Sequence, residues 1–398
     1  MATIERKELF PRLELSTLPE IARNGLAVAS DIEGPFKLGD IVNRAMSEKV
    51  RPDHSDDILP SHGEIIYHQT YACFNHRNVS LRRTSDSSIP STSATLAQEA
   101  VDTIFALPLL VAQDVDPQYL NDLALQSKET PGAKKLLDKF RETGIPVIAI
   151  TSAPQEPYRV ALSQGGLFDP QCVIGSPFPI KETKSKLMAT GCWEQEIAVV
   201  KQYLADCFRI INENSEIQDR TRKLSEDGTR LLWERIERFL YQEIMISYDP
   251  TVRRQRKPST IFGQIIEETR MIGDRSKAAI ALAAYRRIKP HDGLLVAQGD
   301  GLNDCLMLQV APYSIAPNAP EAVKAACIGI ITDDVFNEWP IYEQLLAGER
   351  DIETIITRAQ QKVGSAAFIH RGGPSVCPEI LEQHRRMKKQ LRGESYLG

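Results

Sequence analysis

The sequence lacks the features that are typical of secreted and membrane proteins. Its seven cysteines include no C-x-x-C pair, so neither a disulfide framework nor a structural zinc site is indicated. The most apolar window, residues 100–115, contains Asp102, Pro108 and Asp114 and falls short of a membrane span. The N-terminus has charges of both signs and no apolar stretch, which is unlike a signal peptide. We therefore expect a cytoplasmic protein that does not enter a membrane.

The composition is that of a globular protein with little affinity for polyanions. Apolar residues make up 42% of the chain and charged residues 25%. The formal net charge of −5 argues against nucleic acid or an anionic membrane surface as the main partner. At 398 residues the chain is long enough for two or three domains.

An apolar run at residues 294–298 ends in an acidic turn. The sequence GDGLND follows it and places Asp300, Asn303 and Asp304 on one loop. In a parallel α/β sheet such a loop lies at the carboxyl end of a strand, where ligands bind. Two carboxylates and an amide suit Mg²⁺, which binds to proteins through one or two carboxylates and the oxygens of a substrate phosphate. An ordinary polar turn is the alternative.

A second apolar run, at residues 25–30, also ends in acids. Asp31 and Glu33 follow it directly, and a Gly-Pro pair then breaks the extended chain. The two carboxylates are expected to project from a loop at the same edge of the sheet, where a metal and a phosphate can meet them. Solvated acids on a capped turn are the alternative.

Two further positions fit this edge. The apolar run 145–150 ends in Thr151 and Ser152, and hydroxyl and backbone N–H groups at a strand end suit a phosphate oxygen. Ser276 is a candidate N-cap for the helix-forming run after it, which places Lys277 at the start of that helix. An ammonium group there is able to neutralise a phosphate and a carboxylate together. The helix and the next strand form one αβ unit that leads into the acidic loop.

Taken in order, the four sites resemble the haloacid dehalogenase (HAD) superfamily. The motifs of this superfamily are D-x-D after a first strand, Ser or Thr after a second, Lys at a helix start and a final acidic loop. The GDGLND sequence is similar to the G-D-G-x-N-D form of the phosphoserine-phosphatase-like branch. Glu33 departs from the usual aspartate and gives the less common D-x-E-G form of the first motif. The resemblance covers about residues 25–40, 133–155 and 270–335.

The resemblance implies a Mg²⁺-dependent phosphatase that acts on a small phosphorylated metabolite. In it, Asp31 is the nucleophile that forms an aspartyl-phosphate, and Glu33 is the general acid and base. The groups implied to hold Mg²⁺ are the carboxylates of Asp31, Asp300 and Asp304 and the backbone carbonyl of Glu33. The side chains implied to hold the phosphoryl oxygens are those of Thr151, Ser152, Lys277 and Asn303. The alternatives are a phosphotransferase that uses the same intermediate and a non-catalytic HAD-like binding or assembly subunit, which the Glu33 departure favours.

The resemblance also implies an α/β fold with a doubly wound, Rossmann-like parallel sheet and mainly helical cap insertions. The core is assigned to residues 20–40, 131–180 and 266–345. Residues 41–130 are interpreted as a helical cap. Residues 181–265 are interpreted as a second helical insertion, a hairpin that serves as a cap or joins copies into a homo-oligomer. Residues 346–398 are expected to form a C-terminal helical extension, and its basic end is assigned no function.

Overall fold

The centre of the protein is a seven-stranded sheet. The computed structural model describes residues 25–52, 58–77, 99, 103–246, 248–249, 254–255 and 258–393. Parts of four predicted segments lie outside the described residues, namely 20–24 of the core, 53–57, 78–98 and 100–102 of the cap, 247, 250–253 and 256–257 of the second insertion, and 394–398 of the C-terminal extension. The strands are β1 (Leu26–Ser30), β2 (Val147–Pro154), β3 (Val173–Ser176), β4 (Ser215–Gln218), β5 (Thr221–Leu224), β6 (Tyr248–Asp249), β7 (Arg254–Gln255), β8 (Leu294–Gln298), β9 (Tyr313–Pro317), β10 (Ile328–Thr332) and β11 (Ala367–Arg371). The central sheet has the order β11-β10-β9-β8-β1-β2-β3, and every pairing in it is parallel except that of β11 with β10.

Helices connect these strands. They are α1 (Ile41–Lys49), α2 (His62–Arg77), α3 (Ala106–Ala112), α4 (Pro117–Gln126), α5 (Ala133–Glu142), α6 (Gln155–Gln164), α7 (Ile180–Ala189), α8 (Trp193–Glu213), α9 (Glu226–Arg238), α10 (Ile261–Glu268), α11 (Asp274–Ile288), α12 (Cys305–Val310), α13 (Trp339–Leu346), α14 (Ile352–Val363) and α15 (Pro378–Arg392). No helix in the described part of the chain is long and apolar enough to cross a membrane.

Both faces of the sheet are buried. Successive side chains of its central strand point to opposite sides, and each set packs into an apolar cluster of its own. Leu26 and Val28 of β1 belong to one apolar cluster, which also contains residues of α5. Ala27 and Ala29 belong to a second cluster, which contains residues of α11. Continuous apolar strands covered by helices on both sides are typical of parallel sheets. The predicted doubly wound α/β fold is thereby confirmed.

The two predicted insertions pack against each other in their described parts. Trp233 of α9 donates a hydrogen bond to Gln69 of α2 at 2.7 Å. Buried residues of both insertions belong to the same apolar cluster. Helices α8 and α9 are joined by the antiparallel ribbon of β4 and β5, whose turn residues Asp219 and Arg220 both have positive φ. A two-residue turn of this kind usually carries Asn-Gly or Asp-Gly, so the sequence did not indicate the ribbon.

Residues 346–398, predicted to form a C-terminal helical extension, contain helices α14 and α15 and also a strand. Residues 367–371 form β11, the antiparallel edge strand of the central sheet, so the sheet continues beyond the predicted core limit at residue 345. The strand is short, and Phe368 and Arg371 are exposed. It therefore lacks the continuous apolar run that predicts the buried strands from the sequence.

Candidate active site

The site lies where the strand order reverses. From β1, the chain continues to β2 and β3 on one side, whereas β8, β9 and β10 occupy the other side. In open α/β sheets the crevice at the carboxyl ends of the strands at such a point is where ligands bind. Asp31 directly follows β1, Asp300 follows β8, and Thr151 lies in β2. The fold therefore brings together positions that are far apart in the sequence.

Lys277 joins two of the acids. Its side chain is fully buried, and Nζ lies 2.9 Å from Asp31 Oδ1 and 2.7 Å from Asp304 Oδ1. Asp304 Oδ2 accepts hydrogen bonds from the N–H groups of Asp300 and Gly301 at 3.1 and 2.9 Å. Burial opposes the charge of Lys277, but Asp304 and Asp31 outweigh this effect and raise its pKa. Both oxygens of Asp304 are thus engaged in holding the lysine and the acidic loop.

The position of Lys277 depends on where α11 begins. The helix starts at Asp274, and its N-cap is Gly273, which corrects the expectation that Ser276 is the cap. The carboxylate of Glu99 accepts hydrogen bonds from the N–H groups of Gly273 and Ser276 at 3.0 and 2.9 Å. Glu99 therefore supplies the acceptor that a capping side chain usually supplies. Local capping rules missed this partner because it is distant in the sequence.

Asp31 is buried, and one of its carboxylate oxygens is held by the protein. Oδ1 accepts a hydrogen bond from the N–H of Ile32 at 2.8 Å and pairs with Lys277. The N–H of Asp31 donates to the carbonyl of Gln298 at 2.9 Å, which ties the loop to β8. Burial raises the pKa of Asp31 well above its ordinary value; Asp304 adds to this, and Lys277 opposes it. Asp31 also lines a pocket.

Glu33 and Thr151 form a second pair. Thr151 Oγ1 donates a hydrogen bond to Glu33 Oε2 at 2.7 Å and accepts one from the N–H of Ala153 at 2.9 Å. Burial raises the pKa of Glu33, Asp40 adds to this effect, and the hydrogen bond from Thr151 opposes it. The carboxyl of Glu33 is therefore held by Thr151 and keeps its proton at higher pH than an ordinary glutamate.

The pocket that Asp31 and Glu33 line is small, with a volume of about 110 Å³. Ser152 and Asn303 form part of its wall, and Asn303 Nδ2 donates a hydrogen bond to Ser152 Oγ at 2.9 Å. Because a water molecule occupies about 30 Å³ in the liquid, this space suits a group of phosphate size. A larger cleft, of about 1020 Å³, lies between α4, α6, α7 and α10, and none of the strand-end acids lines it.

Two basic residues that the sequence analysis did not assign complete the site. Lys388 Nζ and Arg392 Nη2, both on α15, lie 3.2 and 2.9 Å from Asp300 Oδ2. Lys388 also donates to the carbonyl of Asp300 at 3.3 Å. Burial opposes the charge of Asp300, but Arg392 and Lys388 outweigh it and hold its pKa below the ordinary value. A signal was present, since His384, Lys388 and Arg392 recur at helical spacing on one face.

Gly34 allows the two acidic loops to approach each other. Its φ is +103°, a conformation that glycine adopts at little cost. A Cβ at this position would overlap with Asp300 Oδ1 and with the guanidinium of Arg392. Gly34 therefore permits the close packing of the two acidic loops at the site.

The donor set at this edge fits a hard divalent cation. Asp31, Asp300 and Asp304 each place one carboxylate oxygen within 4.8 Å of the others. Both oxygens of Asp304 already hold Lys277 and the loop, and the carboxylate oxygens without a hydrogen bond or ion pair among the described residues are Oδ2 of Asp31 and Oδ1 of Asp300. Mg²⁺ in proteins is typically held by one or two carboxylates together with substrate oxygens and water.

The comparisons with known proteins support the fold. No protein-family model and no curated protein matches the sequence. Among solved structures, gene product AF1437 from Archaeoglobus fulgidus is similar over 94% of this chain and 98% of its own, with a TM-score of 0.60 and 18% sequence identity. At this level of identity the similarity shows a shared fold and carries no information about activity.

Proposed function

We propose that this protein is a Mg²⁺-dependent phosphatase of HAD type that hydrolyses a small phosphorylated metabolite through an aspartyl-phosphate on Asp31. The observation that carries the proposal is the environment of the Asp31 carboxylate. It is buried where the strand order of the sheet reverses, Lys277 holds its Oδ1, and it lines a pocket of phosphate size. A buried carboxylate with an adjacent cation, on the wall of such a pocket, is the arrangement expected of a nucleophile.

In the first step, an oxygen of Asp31 attacks phosphorus and the bond to the leaving oxygen breaks. Glu33 donates its proton to that oxygen, for which its raised pKa is suited. In the second step, Glu33 removes a proton from water, and the water oxygen attacks phosphorus to release phosphate and regenerate Asp31. Lys277 opposes the effect of burial on the pKa of Asp31 and so favours its ionised form, as it attacks in the first step and as it is released in the second.

Three groups would hold Mg²⁺, namely the carboxylates of Asp31 and Asp300 and the backbone carbonyl of Glu33. When bound, it would neutralise negative charge between the nucleophile and the phosphoryl oxygens. Ser152 and Asn303 line the pocket and would contact the phosphoryl group directly. Thr151 and Lys277 would act on it through their hydrogen bonds to Glu33 and Asp31.

A panel of phosphomonoesters tests the proposal. Wild type is assayed with an aryl phosphate and with metabolite phosphates, in Mg²⁺ and in EDTA, beside Asp31→Asn. Asp122→Asn is the matched control, because it makes the same change on the exposed surface of α4. We expect Mg²⁺-dependent turnover in wild type and in the control and none in Asp31→Asn. Equal turnover in Asp31→Asn, or none in wild type across the panel, would refute the proposal.

One observation favours the alternative of a non-catalytic binding subunit. Asp300, a proposed metal ligand, already pairs with two cations of the protein's own. If the panel gives no turnover while the protein is folded, this reading becomes the leading one.

A further inference from the structure

The ion-paired side chains at the proposed metal site balance one another without any ligand. Among the described residues, six side chains are joined by ion pairs there, three acids and three bases: Asp31, Asp300, Asp304, Lys277, Lys388 and Arg392. Three carboxylates against three cations give a formal charge of zero. Glu33 and Asp40 also line the pocket at this site, but Glu33 is hydrogen-bonded to Thr151 and Asp40 to the N-terminus of α1, and among the described residues neither makes an ion pair with the cluster.

Lys388 and Arg392 are fixed parts of the cluster. Their side chains are 7% and 4% exposed, and that of Asp300 is 5% exposed. One turn before Lys388, His384 accepts a hydrogen bond from the N–H of Ala319 at 2.9 Å, and its Nε2 lies 2.8 Å from Nε2 of His370 on β11. These contacts hold α15 on the sheet, so its two positive charges are present at the site whether or not a ligand binds.

A divalent cation alone would leave the cluster with two excess positive charges in a buried place. A phosphate dianion alone would leave two excess negative charges. Charge interactions are strong where water is excluded, so either state is unfavourable. A divalent cation and a dianion together restore neutrality.

We propose that Lys388 and Arg392 make the site bind a divalent cation and a phosphate dianion cooperatively, so that each ligand binds weakly alone. The proposal rests on the proposed function, because it takes the metal and the phosphomonoester to share this site. Coupling between two ligands is reciprocal and typically amounts to about 5- to 150-fold in affinity. Without the two bases, the cluster would carry two negative charges and would accept a divalent cation alone.

Titration calorimetry of Mg²⁺ into the full-length protein, with and without saturating inorganic phosphate, tests the proposal. In wild type we expect phosphate to tighten Mg²⁺ binding by about tenfold or more. In Lys388→Met/Arg392→Met we expect Mg²⁺ alone to bind more tightly than in wild type and phosphate to have little effect. The control Arg385→Met/Arg386→Met removes two positive charges from the exposed side of the same helix and should behave as wild type.

A variant that keeps both charges separates the effect of lost charge from the effect of substituting two buried residues. Lys388→Arg/Arg392→Lys retains both positive charges and should retain the coupling. The proposal is overturned if Mg²⁺ binds wild type equally well with and without phosphate. It is also overturned if a folded Lys388→Met/Arg392→Met binds Mg²⁺ no more tightly than its control, which would mean that the bases merely orient Asp300. If Mg²⁺ and phosphate bind independently, the proposed function stands and only the cooperativity is refuted. If neither ligand binds, alone or together, both the cooperativity and the proposed function are refuted.

Discussion

Replacing Glu338 by glutamine is predicted to change how stability depends on pH. Glu338 is fully buried beneath the site, and its Oε2 accepts a hydrogen bond from the side chain of Gln298 at 2.7 Å. Its Oε1 has no hydrogen-bond partner within the described residues. Burial raises the pKa of Glu338 from 4.5 to about 8, and the hydrogen bond from Gln298 only partly opposes this.

The direction of the effect follows from proton binding. Between the pKa of 4.5 in the unfolded chain and that of about 8 in the folded protein, the folded state holds one proton more at Glu338. The free energy of unfolding therefore falls as pH rises through this range, by about 1.4 kcal/mol per pH unit. From about pH 5 to about pH 8 the loss is roughly 4 kcal/mol. Glutamine keeps the shape and the hydrogen bond without ionising, so Glu338→Gln should not show this loss.

Urea denaturation at a series of pH values measures the effect. We expect the difference in the free energy of unfolding between Glu338→Gln and wild type to grow in favour of the variant as pH rises, by roughly 4 kcal/mol across that range. Glu182→Gln, an exposed glutamate on α7, is the control and should follow wild type. Parallel curves for Glu338→Gln and wild type would refute the reasoning, because they would mean that the carboxyl ionises normally in the folded state.

Two further predictions concern the site. Lys277→Met leaves buried carboxylates without their cation and should lower the free energy of unfolding by about 3–5 kcal/mol in urea denaturation; the exposed change Lys201→Met should have little effect, and equal loss in both would contradict the buried pairing. Gly34→Ala should abolish turnover, because its Cβ would overlap with Asp300. Gly39→Ala has a similar positive φ and open space around the added Cβ, so it should retain turnover. Equal loss of turnover in both glycine variants would attribute the effect to backbone strain alone.

The sequence predicted the part of the site that lies at strand ends. Asp31 and Asp300 each follow a continuous apolar run, which is a strong local signal for a buried strand. Parallel strands bring their carboxyl ends to one edge of a sheet, so the meeting of these acids followed from the fold class. Lys277 followed in the same way, from one αβ unit before the acidic loop.

The remaining parts depend on contacts between distant segments. Lys388 contacts Asp300 although 88 residues of chain separate them, and the sequence around each residue does not predict the contact. The edge strand β11 has five residues, of which Ile369 and His370 are both buried, so it shows neither a continuous apolar run nor a regular alternation that would predict a strand. Glu99 caps α11 from 174 residues away, whereas the local sequence predicts the nearer Ser276 as the cap.

Trapping the covalent intermediate tests the central claim most directly. In Glu33→Gln, an aryl phosphate loses its leaving group without needing a proton, whereas the second step lacks its base. We expect acid-quenched Glu33→Gln, incubated with an aryl phosphate and Mg²⁺, to carry a phosphoryl group on the peptide that contains Asp31, as identified by mass spectrometry. The same peptide from Glu33→Gln/Asp31→Asn should be unlabelled. A phosphoryl group on another residue, or aryl release that continues through many turnovers in the double variant, would contradict the account.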